Sequence, residues 1–299
     1  MDEGQYERLP PIEKLNDRVI RVLGGNPGKF TLQGTNTYIL GTGVRRLLID
    51  TGHGKPEWIS SLQTVLSSES ITIDTALITH WHPDHVGGIY DLVSLSPTTK
   101  VYKHTPWDDQ LPIADGQRFA VEGATVTALH TPGHAHDHVC LLLEEEDALF
   151  TGDNVLGHGT SVFEDLRTYM QSLERMRGAF AGRAYPAHGQ VIADGKAKVA
   201  EYIAHRMMRE GQVLRVLRGD WPVIEGEEKG ADGGKERGWT SMEITRAIYG
   251  GVPEELWAHA EKGIVEVLRK LEDEQRVVED SESQRWSTAR GGGGGAAAL

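Results

Sequence analysis

Three imidazoles and a carboxylate fall within the six residues His80-Trp81-His82-Pro83-Asp84-His85, directly after Thr79 and the apolar run Thr75-Ala76-Leu77-Ile78. The run predicts a strand, and a strand that ends in H-x-H-x-D-H offers enough donors for two adjacent metal ions. His80 and His82 lie two apart on extended chain, so their rings point to one side and can grip one ion. Asp84 and His85 are then expected to face a second. Imidazole and carboxylate suit zinc, and Mn2+ or Fe accepts the same donors. A chance cluster of histidines in a loop is the competing reading. Histidines and carboxylates at later strand ends weigh against it.

The elements that must position these residues are readable in order. Residues 19–23 predict a first strand, and Gly24-Gly25-Asn26-Pro27-Gly28 a turn-rich loop. Residues 35–40 and 46–50 predict a hairpin across Gly41-Thr42-Gly43. Residues 55–67 predict a helix with Pro56 in its first turn and Trp58, Ile59, Leu62, Val65 and Leu66 on one side. Gly87-Gly88 lets the following helix begin close to the metal loop. Val101-Tyr102 and residues 123–129 predict further strands. His130-Thr131-Pro132-Gly133-His134 follows the second of these, where His136 and His138 crowd the same turn. Residues 148–153 predict a strand ending in Gly152-Asp153, and residues 183–189 repeat the pattern of strand, His188, then glycine.

These motifs resemble the zinc-binding signature of the metallo-β-lactamase superfamily. The resemblance implies an α/β fold, the four-layered αβ/βα metallo-β-lactamase sandwich, and a ligand set drawn from four strand ends. One zinc would take His80, His82 and His134, the other Asp84, His85 and His188, with Asp153 bridging. Asp84 would also be the catalytic proton acceptor. Asp50 would support the site from behind, a plain turn aspartate being the alternative. His138 is a donor behind the ligands if His134 is the ligand, and His158 and Asn36 are pocket or supporting candidates. Residues 26–38, 152–166 and 201–206 further resemble the β-lactamase-like protein 2 family. That look is shared by an endoribonuclease of single-stranded RNA and by thioesterases that release acyl chains from the carrier domain of fungal non-reducing polyketide synthases.

Composition bounds the remainder. The chain has 299 residues, 38% of them hydrophobic, enough for one large domain and an appendage. Cys140 is the only cysteine, so no internal disulfide forms, and its apolar strand predicts a buried thiol. A formal net charge of −13 supplies no global attraction to phosphate backbones. No run of about 18 apolar residues occurs and the first residues are polar, so no membrane association and a soluble, cytoplasmic chain are expected.

A long helix over residues 194–217 carries the one basic segment: Lys196, Lys198, Arg206, Arg209 and Arg215, with Arg218 just beyond. The expected organisation is a catalytic domain at 1–218, a Gly/Glu/Lys-rich linker at 219–239, a small C-terminal winged-helix-like appendage at 240–288, and a disordered or cloning-derived tail at 289–299. In the appendage Ser241 is expected to cap a helix to Tyr249, a second helix to run from Pro253 to Leu271, and residues 276–278 and 285–286 to form a wing. Its eleven acidic against six basic side chains between Thr240 and Trp286 are the wrong balance for a DNA reader.

Three functions fit. A dinuclear zinc thioesterase would direct hydroxide, activated by two Zn2+, at an acyl thioester on an acyl carrier protein. Phe30, Trp81, Trp107 and Phe163 are aromatic candidates near its cleft. An endoribonuclease acting on RNA would need the basic helix to line a groove leading to the metals. A metal-free binding protein would need a broken ligand set, which this chain does not have.

Overall fold

The computed structural model describes residues 7–221 and 238–289. Most of the expected linker and the tail from residue 290 lie outside the described residues. Two compact units divide at 202/203, inside a helix and earlier than the boundary at 218 read from the sequence.

The first unit is built on two sheets. One contains β1 (Ile12–Lys14), β2 (Val19–Leu23), β3 (Asn36–Leu40), β4 (Arg45–Ile49), β5 (Thr72–Ile78), β6 (Lys100–Lys103) and β7 (Leu111–Pro112), in that spatial order. β1 to β4 are antiparallel, and β4 to β7 run parallel. The other contains β8 (Arg118–Val121), β9 (Ala124–His130), β10 (Val139–Leu143), β11 (Ala148–Gly152) and β12 (Ala184–Pro186), ordered β12-β11-β10-β9-β8. Only β11 and β12 are parallel there.

Alternation along the strands separates two cores. Val19, Tyr38, Leu40, Leu47, Ile49 and Leu77 face Val126, Ala128, Leu141, Leu143 and Phe150 of the second sheet. Their neighbours Ile20, Val22, Ile39, Leu48, Ala76 and Ile78 face the other way, against Trp58, Leu62 and Val65 of α1 (Pro56–Ser68). Strands apolar on both faces are what a sheet covered twice requires. After β5 come the single-turn α2 (Pro83–Val86) and then α3 (Ile89–Leu95), whose Leu92 joins the α1 core.

α4 (Leu166–Ala179) buries Leu166, Tyr169, Leu173 and Met176 and is capped by Asp165, which accepts from Thr168 N. Its Tyr169 hydroxyl donates to Asn154 O at 2.5 Å and its Ser172 hydroxyl to Pro132 O at 2.6 Å, which ties it to the loops after β11 and β9. α5 (Gly195–Leu217) opens with Asp194 accepting from Ala197 N. The result is the four-layered αβ/βα sandwich that the sequence implied. The helix expected after Gly87-Gly88 is α3, capped at Gly88; the short strands β1, β7 and β8 and the helix α4 were not anticipated.

The C-terminal unit is a winged helix. α6 (Ser241–Tyr249), α7 (Trp257–Asp273) and the hairpin β13 (Val277–Asp280) with β14 (Arg285–Thr288) enclose Ile244, Ile264, Val267, Leu268, Leu271, Val277 and Trp286. Two expectations need correction. The cap of α6 is Thr240, not Ser241: Thr240 Oγ1 accepts from Glu243 N while Glu243 Oε2 accepts from Thr240 N, and Ser241 instead donates to Glu261. The second helix does not start at Pro253; a 3-10 turn over Glu254–Leu256 precedes α7.

Candidate metal centre

β5 delivers the metal loop. Thr79, its next residue, donates from its amide to Asp50 Oδ1 at 2.8 Å and from its hydroxyl to Asp50 Oδ2 at 2.9 Å, so the turn after β4 fixes the exit from β5. His82 is still extended, whereas Pro83 starts α2 and places Asp84 and His85 on a helical turn. That change of backbone is why the second pair of donors faces a different point from the first. A Cβ on Gly88 would stand 2.1 Å from Thr51 O, so only glycine lets α2 close against the β4 loop. After β9, Gly133 at φ +127° approaches the backbone of Tyr169 and swings His134 inward.

The side chains converge in two groups, His80 with His82, His134 and Asp153, and Asp84 with His85 and His188. In the first, His82 Nδ1 lies 2.9 Å from His80 Nε2 and 3.1 Å from His134 Nε2. In the second, Asp84 Oδ2 lies 3.4 Å from His85 Nε2 and 3.3 Å from His188 Nε2. Asp153 spans them. Its Oδ2 is 3.5 Å from His134 Nε2, and its Oδ1 is 3.4 and 3.2 Å from the Nε2 atoms of His85 and His188.

Contacts on the outer side orient the rings. His134 Nδ1 donates to Val162 O at 2.9 Å, His85 Nδ1 to Asp50 Oδ2 at 2.8 Å, and His80 Nδ1 is 3.0 Å from Thr79 Oγ1. Each leaves Nε2 directed inward, as a metal-ligating histidine requires. His85 Nε2 and Asp153 Oδ1 are buried without a hydrogen-bond partner among the described residues. Facing imidazole nitrogens and orphaned buried atoms around two carboxylates fit divalent cations.

The electrostatics agree. Burial, reinforced by His85, holds His80 well below its ordinary value, and burial with His134 brings His82 down to about 4, so both are neutral donors at pH 7. Burial works against the charges of Asp84 and Asp153. His85 and His188 outweigh it, and both carboxyls stay well below their usual range. Burial likewise opposes protonation of His188, yet Asp153 and Asp84 lift it to about 9, and Asp84 with Asp153 raises His85. The carboxylates thus draw positive charge into this corner, a demand that a bound cation meets while releasing the ring protons.

The other candidates sort by contact. Asn36 Nδ2 donates to Pro186 O and Gly189 O, both at 2.9 Å, and so brackets the His188 turn instead of lining a pocket. His138 is buried, its Nε2 accepting from Asp153 N at 3.1 Å, which makes it a support for Asp153. His136 is exposed. His158 is exposed in the loop after β11 and lies in neither donor group. Of the aromatic candidates, Phe30 and Trp107 are exposed, Trp81 packs edge-on to His82 with ring centroids 4.5 Å apart, and Phe163 stacks on Tyr169.

Sequence reasoning missed Thr79, Thr35 and the buried Lys103–Asp137 ion pair. Asp137 Oδ1 accepts from Trp81 N at 3.3 Å, between two prospective ligands. A threonine directly ahead of H-x-H was the one available signal. Three cations of α5 are engaged by other side chains: Lys198 by Glu201, Arg209 by the Tyr249 ring at 4.2 Å, and Arg215 by Trp221. Among the described residues no helix is long and apolar enough to cross a membrane.

Comparison with known proteins adds matches to two family models, two relatives and one solved structure. Residues 30–109 and 104–188 match the family described as the metallo-beta-lactamase superfamily, and residues 240–286 match the beta-lactamase associated winged helix domain. The lactamase-like protein nscB of Neosartorya fischeri is 53% identical over 272 residues, 90% of this chain and 83% of that protein. The atrochrysone carboxyl ACP thioesterase dmxR1 of Cryptosporiopsis sp. is 47% identical over 287 residues, 92% of this chain and 87% of that protein. A metallo-beta-lactamase family protein of Thermus thermophilus shares the fold with a TM-score of 0.69 at 22% identity, over 92% of this chain and all of that one.

Proposed function

The chain belongs to the metallo-beta-lactamase superfamily and is a metal-dependent hydrolase, and on that premise we propose that it is a dinuclear zinc thioesterase releasing a polyketide-type acyl chain from an acyl carrier protein. The observation that carries the two-metal reading is Asp153, whose two oxygens face the two donor groups. The thioester reading draws on the relative named as a carrier-protein thioesterase.

Two zinc ions bound there would supply an activated water and an electrophile for the thioester carbonyl oxygen. The chain's own part is to hold them and to manage one proton. Asp84, ionised and 17% exposed at its side chain, accepts the proton of the attacking water. His80 and His82 present neutral nitrogens, and His134 directs its Nε2 at the same point from a third backbone. His138 and Asn36 hold the Asp153 and His188 turns in place. A departing thiolate has a pKa near 8.5, so it leaves without a dedicated acid, and one proton acceptor is enough.

The experiment is thiol release from an aromatic acyl-pantetheine by zinc-loaded protein, with Asp84→Asn run beside it. Release that the variant lowers by about two orders of magnitude or more is expected. A folded, zinc-replete sample that releases no thiol overturns the thioesterase reading and turns the assay to single-stranded RNA.

A further inference from the structure

We propose that Thr35 is a positioning residue for Asp84, and that Asn26 forces it into that role. The inference rests on the reading of Asp84 as the proton acceptor of the second donor group.

Thr35 sits fully buried between the turn-rich loop and β3. A hydroxyl has one proton to give. Thr35 N donates to Asn26 Oδ1 at 2.9 Å, which assigns the other end of the same amide, Nδ2, as the donor to Thr35 Oγ1 at 2.9 Å. With its oxygen already accepting, the hydroxyl directs its proton to Asp84 Oδ2 at 2.8 Å. The chain Asn26 to Thr35 to Asp84 therefore runs in one direction only.

The loop is shaped to hold that chain. Thr31 Oγ1 donates to Asn26 O at 2.6 Å, and Gly24 N donates to Thr35 O at 2.7 Å. A Cβ on Gly24 would stand 2.7 Å from Asn26 Oδ1, so any larger residue would push the amide out of place. Thr35 also forms an antiparallel bridge with His188. One residue thus holds two of the three members of the second donor group, one through its backbone and one through its hydroxyl. The hydroxyl fixes the carboxylate through the oxygen that already faces His85 and His188, so losing it frees Asp84 to rotate without unfolding the ladder.

The test compares Thr35→Val, Thr35→Ser, Asn26→Ala and Asp84→Asn. Bound zinc, kcat and KM for acyl-pantetheine cleavage, and the d–d absorption of the cobalt-substituted protein are measured for each. Thr35→Val is isosteric and should keep its metal, lose about 10- to 100-fold in kcat with KM nearly unchanged, and alter the cobalt spectrum. Thr35→Ser should restore both kcat and spectrum, and Asn26→Ala should fall between. A Thr35→Val protein with normal kcat and an unaltered cobalt spectrum, beside an inactive Asp84→Asn, overturns the inference alone. Full activity in Asp84→Asn instead removes the role of Asp84, and the inference falls with it.

Discussion

Asp50 Oδ2 lies 2.8 Å from His85 Nδ1, and both side chains are sealed from solvent behind the second donor group. The carboxylate accepts a hydrogen bond from Nδ1–H, which commits Nε2 of His85 to the side of Asp84 and Asp153. Asp50 holds this place from a left-handed backbone, φ 59°, a conformation that aspartate tolerates better than most residues. Asp50→Asn keeps the volume but can present a donor where an acceptor is needed. It should weaken metal binding by about 10- to 100-fold, read by competition with a chelator. Unchanged affinity would leave Asp50 as a turn residue and nothing more.

The two donor groups predict separable metal losses. His134→Ala removes a nitrogen from the group of His80, His82 and Asp153, and His188→Ala removes one from the group of Asp84 and His85. Each variant should keep its fold and lose close to one of two zinc equivalents by elemental analysis, whereas Asp153→Ala should weaken both. Retention of full stoichiometry by His134→Ala and His188→Ala together would refute the division into two sites.

What the sequence disclosed follows the reach of each interaction. The H-x-H-x-D-H loop is contiguous, so its chemistry could be read directly. His134, Asp153 and His188 stand at separate strand ends, and no periodicity says which ends meet; only the family resemblance joined them. The choice of His134 over His138 is made by Gly133, whose positive φ turns one ring inward while His138 goes to Asp153 N. Thr35 and Asp84 are 49 positions apart and Lys103 and Asp137 are 34 apart, and such pairs leave no local mark. Strands as short as β7 carry too few residues to alternate. Thr240 was a readable feature misread: Thr240 and Glu243 have the spacing of a capping box, and Ser241 does not.

Lys103 and Asp137 form an ion pair with neither side chain exposed beyond 1%. The ammonium also donates to Thr105 O at 2.8 Å and sits 4.5 Å from the centre of the Trp107 ring. Lys103→Met would leave the buried Asp137 without its counter-charge, with the Trp81 amide as its remaining hydrogen-bond donor. The expected cost is about 3–5 kcal/mol in chemical denaturation, with part of it recovered in the double variant Lys103→Met/Asp137→Leu. A loss under about 1 kcal/mol would mean that the pair is hydrated in solution.

Cys140 predicts how stability responds to alkali. Burial pushes its thiol up to about 12, although hydrogen bonds from Thr131 and Asn154 pull the other way. In the unfolded chain the thiol titrates near 8.5, so between about pH 8.5 and 12 the folded form holds a proton that the unfolded form has lost. Stability must therefore fall as pH rises through that window, by about 2 kcal/mol at pH 10 from this group. Tyr185 is also raised, by burial and by Glu146, and adds to the slope above its own unfolded value near 10. The Cys140 share is isolated by comparing wild type with Cys140→Ala in denaturant unfolding from pH 7 to 10. Wild type should lose stability over that range faster than Cys140→Ala, and its thiol should react with a disulfide reagent far more slowly folded than in urea. Parallel pH curves for the two proteins, or a folded thiol as reactive as the unfolded one, would place Cys140 in contact with water.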